Sequence, residues 1–217
     1  MASITDLLDW NQPSLYYALG SIFFNPVFWN IVARTGTAFV TNILHSRPIE
    51  YRSHALTKLA GGNAYLGCYS LAIVIFSLGI FRDFLYKTAL EHQPTSSILE
   101  HGEFKILSIL LFITGNTLVL SSMWALGITG TYLGDYFGIL MKKRVTSFPF
   151  NVTDNPMYYG STLTFLATAL WYASPAGIFL TIIVFALYLV ALRFEGPFTA
   201  MIYSKRDEML STKEKNI

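Results

Sequence analysis

The chain has 217 residues, of which 53% are hydrophobic and only 13% are charged, against about 25% charged in an ordinary soluble domain. Because a small soluble domain has too much surface for so few charges to cover, this composition excludes a soluble globular protein, and also a disordered or fibrous one. The net charge of +2 gives no reason to expect nucleic acid as a partner. The single cysteine, Cys68, excludes an internal disulfide and a cysteine-rich metal site.

Four stretches of the chain contain no Asp, Glu, Lys or Arg and are long enough to cross a bilayer. About 20 apolar residues in a helix span the hydrocarbon core. The four stretches are Trp10–Ala33, Leu59–Phe81, Ile106–Gly134 and Asn155–Leu192. They predict an all-α integral membrane protein.

The first three stretches predict three membrane segments. Segment 10–33 contains Pro26, which removes a backbone donor, so it either spans with a kink or lies in one leaflet. Segment 64–84 is expected to be a plain span. Segment 106–128 is expected to span as well, and the glycines in the second half of its stretch weaken the helix, which leaves room for a short re-entrant or interfacial piece.

The fourth stretch is too long for a single span. At about 1.5 Å per residue it would form a helix of about 57 Å, nearly twice the hydrocarbon core. The sequence Ser174-Pro175-Ala176-Gly177 in its middle is typical of a turn. We therefore predict a hairpin of segments 157–173 and 177–193. Residues 1–217 are then one domain, a bundle of four to five membrane helices that ends in this hairpin.

The distribution of Lys and Arg predicts which loops face the cytosol. The positive-inside rule places the N-terminus and residues 82–105 in the lumen, and residues 34–58, 135–154 and the C-terminal tail in the cytosol. The glycosylation sequon at Asn151 would then remain unmodified. Lysines near the C-terminus resemble a retrieval signal of the endoplasmic reticulum, for which an ordinary solvated tail is an equally good explanation.

Polar residues inside a membrane domain are costly, so they indicate a functional site. The first candidate for a site residue is Asp135. It lies between two glycines and beside two aromatic residues, in the sequence Gly134-Asp135-Tyr136-Phe137-Gly138. Glycines allow a ligand to approach the backbone closely. The alternative is a turn with an acidic cap at the point where the chain leaves the membrane.

A second candidate is the start of the predicted segment 157–173. Asp154 or Asn155 can cap this helix, with Pro156 at its first position. A helix N-terminus also binds anions, so it would suit a carboxylate or a phosphate. Capping does not explain why two tyrosines and a glycine follow together, which are Tyr158, Tyr159 and Gly160.

Two further candidates lie at predicted membrane boundaries. Glu195 follows the last predicted span, where an ion pair with Arg193 is the alternative. His54 precedes the second span between Arg52 and Lys58, which are expected to anchor the chain at the cytosolic surface, and it could titrate near neutral pH. The sequence contains no hydrolase, zinc-protease, phosphate-loop or Rossmann motif, and its four histidines are scattered, so no metal site is predicted.

These stretches, in this order, resemble the phospholipid methyltransferases of the endoplasmic reticulum. The most specific matches are Gly134–Leu140 and Asp154–Ser161, and the similarity extends from about residue 20 to residue 203. Chain length and the match around residues 50–71 look most like the fungal members, which perform the last two methylations to phosphatidylcholine. The resemblance implies a multi-pass protein of the endoplasmic reticulum membrane, with a mitochondrial membrane as an additional location.

The resemblance also implies S-adenosylmethionine as the methyl donor. Of the family's Gly-x-Gly motif only Gly115 matches, and of its Glu-Glu pair only Glu195. The stretch from Asn155 to Tyr158 is similar to an element that helps to hold the cofactor in the related prenylcysteine methyltransferases. The cofactor-binding residues implied in this way are Gly115, Asn155, Pro156, Tyr158, Gly160 and Glu195.

The implied reaction is a direct methyl transfer to the headgroup nitrogen of a phospholipid in the bilayer. This nitrogen is protonated at neutral pH and must lose its proton before it reacts, and the candidates for the base are Glu195, Asp135 and His54, in that order. Cationic groups favour aromatic faces, which Tyr158 and the three substrate candidates Tyr136, Phe137 and Tyr159 could supply.

Both the lipid-binding residues and the activity have alternatives. Arg144, with its two preceding lysines, could bind the lipid phosphate, although a surface anchor accounts for these residues as well. The substrate could be another lipid-like molecule, such as a prenylcysteine or a sterol, acted on by a methyltransferase or a reductase. A lipid transporter without enzymatic activity is a further alternative.

Overall fold

A computed structural model describes residues 7–34, 54–142 and 145–215. These residues form six α-helices and one turn of 3₁₀ helix, and no strand occurs among them. The α-helices are α1 (Pro13–Arg34), α2 (Ala55–Leu59), α3 (Ala64–Glu91), α4 (Gly102–Thr131), α5 (Pro156–Trp171) and α6 (Pro175–Lys215), and the 3₁₀ helix is Gly134–Phe137.

The helices expose the apolar surface of a membrane protein. Among the described residues, three helical stretches are long and apolar enough to cross a membrane: Ala64–Glu91, Gly102–Phe137 and Pro175–Glu208. Large apolar side chains point outwards along them, such as Ile73 on α3 and Trp124 on α4, which is 91% exposed. Such a surface is stable against lipid and not against water. The prediction of an all-α membrane protein is therefore confirmed.

Two helices continue beyond the stretches without charges. α3 runs through Arg82 to Glu91, and α6 runs through Glu195 to Lys215, where the sequence analysis expected a loop and a tail. Beyond Glu195, α6 binds the segment that follows the 3₁₀ helix. The Tyr203 hydroxyl accepts a hydrogen bond from the Met141 amide at 3.2 Å, and the Arg206 guanidinium donates to the Met141 carbonyl. These contacts hold the C-terminal part of α6 against the segment that follows the 3₁₀ helix.

The C-terminal hairpin is present, and its turn lies slightly earlier than the sequence suggested. Tyr172, Ala173 and Ser174 connect the two helices, and Pro175 is already the first residue of α6. The Ser174 hydroxyl accepts a hydrogen bond from the Gly177 amide at 3.2 Å and so caps the helix. Proline suits the first helical position because its missing N–H would have no partner there.

The core near this turn joins four helices. The Tyr86 hydroxyl of α3 lies 3.0 Å from the carbonyl oxygens of both Phe165 and Gly177, and its ring packs edge to face on Phe165. Around it lie buried residues of α1, α3, α5 and α6, which are Leu15, Ala18, Ile22, Ala89, Leu90, Phe165, Leu180 and Val184.

A second core lies at the opposite end of the bundle. It contains Cys68 of α3, Tyr136 and Phe137 of the 3₁₀ helix, and Ile202 of α6, with Leu56 of α2 packed against them. The residues around 56, 136 and 202 therefore meet at one end. This is the end that carries the three basic regions assigned to the cytosol by the positive-inside rule.

α4 and α5 approach each other closely through small residues. A Cβ atom added at Gly115 would lie 2.6 Å from the carbonyl oxygen of Gly160, and one added at Gly160 would lie 2.6 Å from that of Gly115. Farther along, the Ser108 hydroxyl donates to the Ala167 carbonyl at 2.7 Å. In lipid, where helices gain little from hiding apolar surface, close packing and such bonds hold them together.

Replacing Gly115 with Ala should destabilise the bundle, because the new methyl group would collide with the α5 backbone. Overpacking of this kind costs about 1–3 kcal/mol. Thermal unfolding in detergent measures the effect as a lower Tm. Gly79→Ala in α3 is the matched control, since nothing lies within 4 Å of its added Cβ and alanine is the better helix former. Equal Tm values for the two variants would contradict the close α4–α5 contact.

Candidate active site

The two acidic residues that the sequence analysis singled out, Glu195 and Asp135, both lie at one turn of α6. The Tyr158 hydroxyl of α5 donates a hydrogen bond to the carboxylate of Glu195. One turn farther along α6, the Thr199 hydroxyl donates to Oδ2 of Asp135 at 2.9 Å. The structure therefore places Glu195 against Tyr158 and Asp135 against Thr199, and Glu195 and Thr199 are one turn apart on the continuous helix α6.

Asp135 owes its position to the 3₁₀ helix and to the glycine before it. A Cβ atom at Gly134 would lie 2.5 Å from the carbonyl oxygen of Thr129, so only glycine allows the chain to turn back so tightly. The Tyr136 amide donates to Oδ1 of Asp135 at 3.1 Å, which fixes the carboxylate together with Thr199. Gly134 therefore serves the packing of the chain on itself, and its role in the approach of a ligand stays a prediction.

α4 reaches this position through a break in its geometry. Gly127 has φ of +66° and ψ of −179°, which is not helical, and it lies in the stretch where glycines were expected to weaken the helix. Glycine adopts this backbone conformation without the strain that a side chain would cause. The break redirects the chain towards the 3₁₀ helix and α6.

The aromatic residues predicted to contact cations lie in different surroundings. Tyr136 and Phe137 are 3% and 5% exposed and pack against Cys68 and Ile202, with the Phe137 ring also facing Gly67. Tyr159 lies on the outside of α5, where its ring centroid is 6.3 Å from that of Phe185. Tyr158 donates a hydrogen bond to the carboxylate of Glu195.

The start of α5 has the expected residues, but it lacks the expected capping hydrogen bond from a side chain. Asn155 occupies the N-cap position and Pro156 the first helical position, but the Asn155 side chain makes no capping hydrogen bond. Its backbone amide donates to the Thr153 hydroxyl at 3.5 Å. Asp154 is exposed and lies one residue before the cap position. The side-chain amide of Asn155 therefore makes no capping hydrogen bond to the helix that it precedes.

Gly115 and Gly160, predicted to bind the cofactor, lie against each other in the α4–α5 interface. Both are buried and leave no room between them for a ligand. The structure gives them a packing role, which brings α4 next to the helix that carries Tyr158.

The remaining predicted residues are His54 and Arg144. His54 is exposed at the start of α2, with φ of +52° and no capping bond from its side chain, although the nearby Leu56 packs on the core that holds Phe137. Arg144, predicted to bind the lipid phosphate, lies outside the described residues.

Two residues near the site were missed by sequence reasoning. The ring of Tyr188 in α6 packs edge to face on Tyr158, with centroids 5.0 Å apart, and its hydroxyl accepts a hydrogen bond from Arg82 at 2.9 Å. Arg82 lies within the predicted segment 64–84 and was also counted with the lumenal residues 82–105, so it was assigned no role at the site. A tyrosine inside an apolar stretch gives no signal of its own, so only the arrangement of the helices reveals it.

Comparisons with known proteins place these residues in a family. The family model described as phospholipid methyltransferase matches residues 104–206, which include Gly115, Asp135, Asn155 and Glu195. No solved structure matches the chain.

Named relatives match along almost the whole chain. A phosphatidyl-N-methylethanolamine N-methyltransferase of Emericella nidulans is 54% identical over 95% of this chain and 94% of its own. A protein of the same name from Saccharomyces cerevisiae is 52% identical over 93% and 90%. A phosphatidylethanolamine N-methyltransferase of Rattus norvegicus is 45% identical over 95% and 96%. With this identity over this length, and with the acidic and aromatic residues gathered at one membrane end, the chain belongs to the phospholipid methyltransferase family.

Proposed function

We propose that the chain is an enzyme that transfers methyl groups from S-adenosylmethionine to the amine of mono- and dimethylated phosphatidylethanolamine, giving phosphatidylcholine. The observation that carries the proposal is the contact of Tyr158 with Glu195, one turn from Asp135 and Thr199, at the end of three membrane helices. A polar site at this depth suits a reaction between a lipid headgroup and a soluble cofactor.

The names of the relatives support the choice of lipid. The four fungal relatives named after the monomethylated lipid are 50–54% identical, whereas those named phosphatidylethanolamine N-methyltransferase are 42–45% identical. This difference favours a substrate that already carries a methyl group. Family membership also favours a phospholipid over the alternatives, which were a prenylcysteine, a sterol and a transported lipid.

The residues at the site fit a molecule with the charges of S-adenosylmethionine. A carboxylate such as Glu195 suits a cationic or hydroxyl-bearing group, and the side-chain amide of Asn155, which makes no capping bond, can bind a carboxylate at the start of α5. When bound, the cofactor supplies an electrophilic methyl group on a sulfonium centre.

The chain contributes position and a place for the proton. Direct transfer needs no covalent bond to the protein, so holding the two reacting groups in line accounts for much of the rate. Tyr158 and Thr199 fix the two carboxylates, and a fixed carboxylate in apolar surroundings is suited to accept the proton of the lipid ammonium. We propose Glu195 first, Asp135 second and His54 third for this step.

The proposed location is the endoplasmic reticulum membrane, with a mitochondrial membrane as an additional one. The site lies at the end where residues around 56, 136 and 202 meet, which the positive-inside rule assigns to the cytosol. The cofactor would then enter from the cytosol and the lipid sideways from the bilayer.

Incubation of the purified protein with labelled S-adenosylmethionine and monomethylated phosphatidylethanolamine tests the proposed function. We expect label in the dimethylated lipid and in phosphatidylcholine. Parallel assays with a prenylcysteine and a sterol identify the competing substrates. Transfer to either of these, together with no transfer to the phospholipid, would contradict the proposal.

Replacing Glu195 with Gln, or Asn155 with Ala, should weaken the binding of S-adenosylmethionine. The loss of one buried hydrogen bond to a charged group costs about 1.5–3 kcal/mol, or roughly 10- to 150-fold in affinity. Equilibrium binding of the labelled cofactor measures it. Glu103→Gln, an exposed residue in the first turn of α4 at the hairpin end, should bind like the unaltered protein. Unchanged affinity in both folded test variants would remove the two residues from the site.

The pH dependence of turnover should identify the base. A general base contributes about 10²–10⁴-fold, so its removal should depress the rate at neutral pH. The loss should shrink as the pH approaches about 10, where the amine deprotonates without help. We expect this profile for Glu195→Gln or Asp135→Asn.

Two further variants complete the pH experiment. Glu91→Gln, at the far end of α3, should show no change and serves as the control. If His54→Ala alone showed the loss that high pH restores, the assignment to the carboxylates would be wrong. In that case α2 would reach the reacting groups.

A further inference from the structure

A cationic side chain lies inside the bundle and takes no part in the chemistry proposed above. Arg82 belongs to a stretch of α3 that can cross the membrane, and its side chain is only 16% exposed. Charged groups in such helices are costly, and near helix ends they usually turn towards the interface. The Arg82 guanidinium instead packs on α5, with its central carbon 4.8 Å from the centre of the Phe165 ring.

The Arg82 guanidinium donates hydrogen bonds to two residues, Asp83 and Tyr188. Nε and Nη2 donate to Oδ1 of the neighbouring Asp83 at 3.0 and 2.9 Å, which balances the charge. Nη1 donates to the Tyr188 hydroxyl at 2.9 Å, and this hydroxyl also lies 3.1 Å from the Ser161 hydroxyl of α5. Groups from α3 and α5 therefore hold the tyrosine of α6 at its oxygen. Because a phenol ring is rigid, this also fixes the ring.

The ring of Tyr188 in turn supports the candidate site. It packs edge to face on Tyr158, with centroids 5.0 Å apart and planes at 76°. The Tyr158 hydroxyl donates a hydrogen bond to Glu195, which lies about two turns beyond Tyr188 on α6. The side chain of Tyr158 is thus held between a fixed ring on one side and a carboxylate on the other.

We propose that Arg82 is a positioning residue for the methyl-donor site, acting through Tyr188 and Tyr158 on Glu195. The inference rests on the proposed function, in which Glu195 contacts the donor. A carboxylate binds best when its partners already hold it in place, since otherwise part of the binding free energy is lost in ordering it. If the guanidinium only joined helices, its removal would lower the stability of the bundle. It would not change the binding of the cofactor.

The test compares the binding of labelled S-adenosylmethionine to the full-length protein with its Tm. Tyr188→Phe keeps the ring and removes the oxygen that Arg82 holds, and Arg82→Met keeps the length of the side chain and removes the guanidinium. We expect both to weaken binding by roughly 2- to 10-fold, the effect of one hydrogen bond. The control is Lys87→Met, which removes an exposed cation of the same helix that pairs with Glu91. Its binding should not change.

A double-mutant cycle separates positioning from stability. If Arg82 acts through Glu195, Tyr188→Phe should have little further effect on binding once Glu195 is replaced with Gln, because the group it positions is gone. Unchanged binding by Tyr188→Phe, or additive losses in the double variant, would overturn the role of Arg82 while the proposed function stands. If the unaltered protein does not bind S-adenosylmethionine, the proposed function fails and this role fails with it.

Discussion

The hydrogen bond from Tyr158 to Glu195 closes the helical hairpin at the end opposite its turn, and the candidate site is arranged around it. In lipid, contacts between apolar side chains produce little difference in free energy between one orientation of neighbouring helices and another. Close packing of small residues and a few polar contacts therefore decide the geometry. The Ser174 turn fixes α5 and α6 at one end, and the phenol–carboxylate contact fixes them at the other. Between them lies the Arg82–Tyr188 contact, which adds α3.

The second carboxylate reaches the same helix by a different route. Gly115 and Gly160 bring α4 against α5, and the break at Gly127 then turns the chain out of the direction of α4. Gly134 allows the tight return that places Asp135 beside Thr199. Each of these glycines removes a steric obstacle along this path. The position of Asp135 is thus a consequence of helix packing that begins several turns away.

The sequence predicted the all-α membrane fold and singled out two acidic residues, because helices and charges in apolar stretches follow from local composition. Stretches without charges must form helices in lipid, and carboxylates such as Asp135 and Glu195 are conspicuous at their ends. The sequence did not show which helices touch. Gly115 was predicted to bind the cofactor, and nothing local indicated that it also packs on α5. Arg82 lies within the predicted segment 64–84, and nothing local indicated that its partner Tyr188 lies on another helix. Contacts between distant residues decide both cases.

The placement of the site at one end of the bundle follows from the two substrates that the proposed reaction joins. A phospholipid headgroup stays at the membrane surface, and S-adenosylmethionine stays in water, so the two can meet only where helices leave the bilayer. α6 serves this purpose because it is longer than a span: it carries Glu195 and Thr199 near the surface and then continues to Arg206, which binds the carbonyl of Met141. A helix that ended at the membrane could hold one side of such a site, but it could not hold the segment that carries Asp135.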